Sequence, residues 1–91
     1  MFYAICYDIR DDQRRTRVAK VLEDYGERVQ YSVFEALVSP AELERIQQRV
    51  RAVIDPEEDT VRCYTLCGSC AERITILGEG VVTQDPDVIV V

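Results

Sequence analysis

Phe2-Tyr3-Ala4-Ile5-Cys6-Tyr7-Asp8-Ile9 is the stretch on which the fold turns. It is short, rich in aromatic and β-branched residues, and ends at a polar cluster, so it reads as a buried strand. Successive strand side chains point to opposite faces. That puts Phe2, Ala4 and Cys6 on one face and Tyr3, Ile5 and Tyr7 on the other. Both faces are apolar until Asp8 breaks the pattern at the C-terminal end.

Working outward, Asp11 and Asp12 offer an N-cap for a helix starting near Gln13 and running to about Tyr25. Val18, Val21, Leu22 and Tyr25 form its apolar stripe, and Gly26 sits at the C-cap position. Glu27 to Val38 reads as two strands reversing near Tyr31-Ser32. Ser39-Pro40-Ala41-Glu42 is a capping box with proline at the first helical position. It opens a second helix over about 40–54, striped by Leu43, Ile46, Val50 and Val53. The acidic loop Asp55-Pro56-Glu57-Glu58-Asp59 ends it, and Thr60 to Leu66 is another strand. Cys67-Gly68-Ser69-Cys70 is a turn, and Arg73 to Leu77 a fifth strand. Gly78-Glu79-Gly80 leads into a tail with apolar clusters at Val81-Val82 and Val88 to Val91.

Strand, helix, strand, strand, helix, strand is the order of the α+β ferredoxin-like βαββαβ sandwich, here expected with extra C-terminal strands. Residues 1–78 form the expected domain. Residues 79–91 form a tail that can add an edge strand to a partner subunit. Both helices cover one sheet face. The first strand is apolar on the other face too, and an uncovered apolar face marks an association surface. A two-fold homodimer is therefore expected.

The chain has 91 residues, 47% apolar and 31% charged, which fits one globular domain and excludes an intrinsically disordered chain. No apolar run approaches the roughly 20 residues of a membrane span, and the N-terminus has no signal-peptide pattern, so a cytoplasmic protein without membrane contact is expected. Histidine is absent. That removes Ser-His-Asp and Cys-His catalysis and every His-ligated metal site. A general base must be a carboxylate, tyrosine, lysine, cysteine or a metal hydroxide.

The net charge of −6 argues against bulk electrostatic binding of nucleic acid. Yet six basic residues face five acidic ones between Arg10 and Arg28. All but one of the basic residues, Lys20, are arginine, whose planar fork suits phosphate. Arg14, Arg15 and Arg17 lie in the first turns of a helix, where the dipole disfavours cations. Asp8, Asp11 and Asp12 can supply the compensating anion internally.

Asp8 is the most informative residue. A carboxylate ending an apolar strand must be solvated, paired or metal-bound. Its hard oxygens suit Mg²⁺ or Mn²⁺. One aspartate per chain is a poor site. Two Asp8 side chains meeting near a dimer axis can hold one metal and activate water against a phosphodiester. The alternatives are pairing with Arg14, Arg15 or Arg17, or capping a turn. Cys67 and Cys70, with Cys63 before them, resemble half a zinc site, but a structural zinc needs four ligands and only Cys6 remains. Small buried side chains around a tight turn, with reduced thiols, are the expectation, ahead of a redox pair or of two such pairs meeting across a dimer axis. Tyr3, Tyr7, Tyr31, Phe34 and Tyr64 can all stack bases, but strand cores suit most of them. Tyr7 and Phe34, near the polar end and the hairpin, are candidates for stacking bases.

Several stretches together resemble one family. They are Ala4 to Ile9 followed by Asp11-Asp12, then Arg14-Arg15-Thr16-Arg17-Val18-Ala19-Lys20, Glu23 to Gly26 and Arg28-Val29-Gln30-Tyr31-Ser32-Val33-Phe34-Glu35. Ile54 to Arg62 and Tyr64 to Cys67 complete the set. The family is the small CRISPR-associated endonuclease of the adaptation module, partner of the CRISPR integrase. The resemblance implies a homodimer in which Asp8 is catalytic and ligates a divalent metal, Mg²⁺ or Mn²⁺, at the dimer axis. It implies an endonuclease acting on RNA or DNA phosphodiesters, and a dimer that bridges integrase subunits and binds prespacer DNA during spacer acquisition. Tyr7, Arg15, Arg17, Arg28 and Phe34 fall on positions the family links to nucleic-acid handling. A non-catalytic scaffold of the same complex shares every one of these features. A ferredoxin-like regulatory module is the third reading, and it predicts no salt-sensitive nucleic-acid binding.

Overall fold

The computed structural model describes residues 1–83, and the expected apolar cluster Val88 to Val91 lies outside them. Strand β1 (Phe2–Asp8) is followed by helix α1 (Asp12–Glu23), the hairpin β2 (Glu27–Gln30) and β3 (Val33–Leu37), helix α2 (Pro40–Arg51), strand β4 (Thr60–Leu66) and the one-turn helix α3 (Gly68–Ala71). The sheet order is β2-β3-β1-β4, antiparallel throughout. β3 thus lies between β1 and β2, the ferredoxin-like arrangement expected from the element order.

The core lies between the sheet and its two helices. Tyr3, Ile5 and Tyr7 of β1 and Phe34 and Ala36 of β3 meet Val18, Val21 and Leu22 of α1 and Ile46 and Val50 of α2. On the opposite face Ala4, Cys6, Val33 and Leu37 are only half-buried, and Tyr64 of β4 is exposed.

Both helices start as their sequences dictate. Asp11 caps α1 by accepting from the Arg14 amide at 2.8 Å. The capping box of α2 closes reciprocally at 3.1 Å between Ser39 and Glu42. The second helix stops at Arg51, short of the expected residue 54, where the Val53 amide takes the Val50 carbonyl three residues back and tightens the last turn.

Two local expectations are corrected. Gly26 does not take the left-handed conformation of a C-cap glycine. It is required because a Cβ there would run into the Glu35 carbonyl oxygen and touch Ala36 Cβ at 3.0 Å. The fifth strand over Arg73–Leu77 is not formed, and no strand follows β4 among the described residues. A strand needs a neighbouring backbone to pair with, and residues 72–83 find none among the described residues. They return instead to β3, where the Thr83 hydroxyl donates to Glu35 Oε1 at 2.7 Å.

Of the anions expected to offset the cations of α1, Asp12 does so by pairing with Arg15, but Arg14 finds partners that were not expected. Arg14 grips Asp59 with Nε at 2.8 Å and Nη2 at 3.3 Å, and reaches Glu58 at 3.1 Å. The Asp59 side chain is fully buried and also accepts from the Asp55 amide at 2.8 Å. The acidic loop is thereby fastened to the start of α1. Arg14 and the Asp55 amide hold the Asp59 carboxyl below the usual range.

Two outcomes follow from these contacts. Gly26→Ala is expected to cost about 1–3 kcal/mol by overpacking, read as a lowered urea midpoint at unchanged slope. The Asp59 pKa is depressed on folding, so its contribution is present above the unfolded value near about 4 and is lost as pH falls below it. Asp59→Asn should therefore lower the urea midpoint at neutral pH and flatten its acid decline. Asp12→Asn, an exposed carboxylate, should leave both near wild type.

Candidate nucleic-acid interface

Asp8 occupies the last position of the central strand. It shares the helix-free sheet face with Ala4 and Cys6, since side chains two apart point the same way. It is exposed, and no ion pair or side-chain hydrogen bond holds it among the described residues. The expected pairing of Asp8 with Arg14, Arg15 or Arg17 is not made, because Arg14 goes to Asp59 and Arg15 to Asp12.

A hollow of about 220 Å³ opens beside Asp8, lined by Cys6, Tyr7, Thr60 and Arg62. The β1–β4 register places Thr60 opposite Asp8 and Arg62 opposite Cys6. The exposed Arg62 therefore stands on the same face as the carboxylate, two pairs along the ladder. The sequence reading missed Thr60 and Arg62. Their spacing of two on a strand was visible, but nothing short of the register could align them with Asp8.

On the helix side a second groove, about 260 Å³, runs between α1 and the β2–β3 hairpin. Tyr7, Arg15, Lys20, Glu23, Arg28 and Tyr31 line it. Arg15 donates to the Ile9 carbonyl at 3.1 Å, pairs with Asp12, and lies 5.8 Å from the centroid of the Tyr31 ring. Arg28 lies 5.3 Å from the Phe34 centroid and 4.0 Å from Glu23. The Tyr7 hydroxyl donates to the Tyr31 carbonyl at 3.2 Å. Burial pushes the Tyr7 pKa up against the pull of Arg28, so this donor keeps its proton. The groove thus gathers three cations against one carboxylate in a chain that is acidic overall.

Burial leaves little room for base stacking by the two aromatics singled out. Phe34 is 0% exposed and Tyr7 5%, their centroids 6.3 Å apart in the core. Their rings anchor the hairpin and support Arg28 from beneath, while Tyr31, 70% exposed, offers the open ring. Arg17 stands exposed on the outer side of α1 with no ion pair among the described residues.

Asp8 is a hard oxygen donor, but the described residues contain no cluster of three or more His, Cys, Asp or Glu able to hold a metal. One chain contributes one carboxylate. The donor set suits Mg²⁺ or Mn²⁺ only where a second copy adds its own Asp8 and water completes the shell.

Three comparisons bear on this geometry. The family model "CRISPR associated protein Cas2" matches residues 1–74. The CRISPR-associated endoribonuclease Cas2 3 of Chloroflexus aurantiacus is 52% identical over 86 residues, covering 94% of this chain and 92% of that protein. The crystal structure of Streptococcus pyogenes Cas2 at pH 6.5 superposes with a TM-score of 0.76 at 38% identity, over 86% of this chain and 100% of that one. A chain of a partial Cas6-RT-Cas1–Cas2 complex superposes with a TM-score of 0.78 at 30% identity, over 99% of this chain and 98% of that one. An uncommitted carboxylate closing the central strand, a basic groove on the helix side of the sheet and this agreement in sequence and fold converge: the chain belongs to the CRISPR-associated Cas2 family.

Proposed function

We propose that this chain is a metal-dependent endonuclease of CRISPR adaptation that works as a homodimer on RNA or DNA phosphodiesters. The observation that carries this reading is the exposed Asp8, unpaired among the described residues, at the end of the central strand in a hollow that the exposed Arg62 also lines. Asp8 from each of two copies would hold the Mg²⁺ or Mn²⁺, and a bound divalent ion supplies an activated water for attack on phosphorus. Arg62 is placed to bind a phosphate oxygen and offset the charge that grows on it. Arg15, Lys20 and Arg28 are placed to take the neighbouring backbone phosphates, and Tyr31 to stack a base or sugar.

Dimerisation is supported by apolar surface that one chain leaves bare. Ile76 is 40%, Leu77 91% and Val81 81% exposed, in a segment that pairs with no strand among the described residues. Residues 1–78 serve as the domain in this reading, and residues from 79 onward reach toward the partner subunit's sheet edge. The Cas1-containing complex among the structural relatives supports a CRISPR integrase partner, with the dimer bridging integrase subunits and binding prespacer DNA. No helix among the described residues is long and apolar enough to cross a membrane, in keeping with a cytoplasmic site of action. One observation favours the scaffold reading: among the described residues Asp8 belongs to no group of three or more metal-ligating side chains. In that reading Asp8 is dispensable for spacer integration.

In a nuclease assay with Mg²⁺ or Mn²⁺, Asp8→Asn should abolish cleavage and chelator should do the same to wild type. Arg62→Ala should lower kcat/KM by about 10–100-fold, largely through kcat. Equal cleavage by wild type and Asp8→Asn overturns the catalytic assignment. Survival of spacer integration in that variant assigns the integration role to the scaffold. Binding to a short nucleic acid should weaken steeply with salt, and Arg28→Ala should reduce the slope of log affinity against log salt by about one.

A further inference from the structure

The Cys67-Gly68-Ser69-Cys70 stretch was expected to be a buried turn, yet all four residues are exposed. Cys67 is the N-cap of α3 and Cys70 follows one turn later. Residues three apart on a helical turn lie on one side with Cα atoms about 5 Å apart, inside the span a disulfide bridges. Cys67 Sγ sits 3.3 Å from Ser69 Oγ. That hydroxyl first, then the amide and thiol of Cys70, draw the Cys67 pKa down to about 7, while the same neighbourhood pushes Cys70 up. Cys67 is thus the more acidic sulfur and Cys70 the less acidic, the order that suits an attacking and a resolving thiol.

The remaining thiols differ in kind. Cys6 and Cys63 are half-buried on β1 and β4, and burial pushes the Cys63 thiol up. A soft-metal site needs about four ligands, and no group of even three candidate ligands occurs among the described residues. The exposed pair is therefore suited to chemistry between its own two sulfurs.

We propose that Cys67 and Cys70 form a reversible dithiol–disulfide couple whose oxidant is a low-molecular-weight disulfide of the glutathione class. The Cys67 thiolate attacks one sulfur of the oxidant, the oxidant's S–S bond breaks, and one thiolate leaves. Cys70 then releases its proton to water and attacks the Cys67 sulfur, forming the Cys67–Cys70 bond and expelling the second thiolate. The dithiol loses two electrons, and the oxidant is reduced to two thiols. The new bond closes where the chain leaves β4 and begins the segment that returns to Glu35 through Thr83. Oxidation thus stiffens that connection without touching the Asp8 hollow or the basic groove.

The test uses the full reduced chain, incubated with oxidised glutathione at neutral pH, quenched in acid, alkylated and mapped by peptide mass spectrometry. A Cys67–Cys70 bond is expected, with Cys6 and Cys63 still open to alkylation after unfolding, and with full reversal by dithiothreitol. Cys70→Ser should trap the mixed disulfide on Cys67. Cys67→Ser should react at Cys70 at least about tenfold more slowly. Alkylation of Cys67 should rise with a midpoint near pH 7. A stable mixed disulfide on wild type that does not close, closure through Cys6 or Cys63, or equal reactivity of the two serine variants overturns the proposal. The wild-type map decides even where a variant misfolds.

Discussion

The phase of β1 is the constraint on which the rest depends. This strand is bonded on both edges, to β3 along Phe2–Cys6 and to β4 along Phe2–Asp8. A strand fixed on both sides cannot slip, and a slip of one residue would exchange its two faces. Here that exchange would drive the Asp8 carboxylate into the core and lift Tyr7 out of it. The burial of Tyr3, Ile5 and Tyr7 against the helices therefore also holds Asp8 out toward water. Packing on one face positions the chemistry on the other.

The arginines divide by what they meet. Arg14 is structural, since its fork closes on a buried aspartate and ties the acidic loop to α1. Such a pair is costly to break because one charge would remain buried alone. Arg15 and Arg28 are partly engaged, each with a carboxylate, an aromatic ring and a shared groove. Arg17 and Arg62 are exposed with no ion pair among the described residues. A net charge of −6 thus coexists with a local cationic surface, because the acidic residues at 58 and 59 are consumed by Arg14. Whole-chain charge is a poor guide to the field at one groove.

Tyr7 and Phe34 illustrate how far residue type can mislead about role. Both are aromatic, both sit beside the groove, and both are buried to 5% exposure or less. Their contribution to the surface is indirect. Phe34 supports the guanidinium of Arg28, and Tyr7 ties β1 to the hairpin through the Tyr31 carbonyl. The opposite happened at Cys67 and Cys70, small residues expected inside that the structure exposes at the foot of a one-turn helix.

By itself the sequence determined the helices, through Asp11, the Ser39–Glu42 box and their apolar stripes, and the strands β1 to β4, through alternation and the Tyr31-Ser32 reversal. These signals are local: capping and periodicity are written within a few residues of the elements they define. The singular placement of Asp8 was legible for the same reason. Only the tertiary structure decided which acid answers Arg14, why Gly26 must be glycine, and that Thr60 and Arg62 stand beside Asp8. It also decided that Arg73–Leu77 forms no strand among the described residues. Each depends on strand register or on contacts between distant segments, and no local pattern encodes what a residue meets across 45 positions of chain.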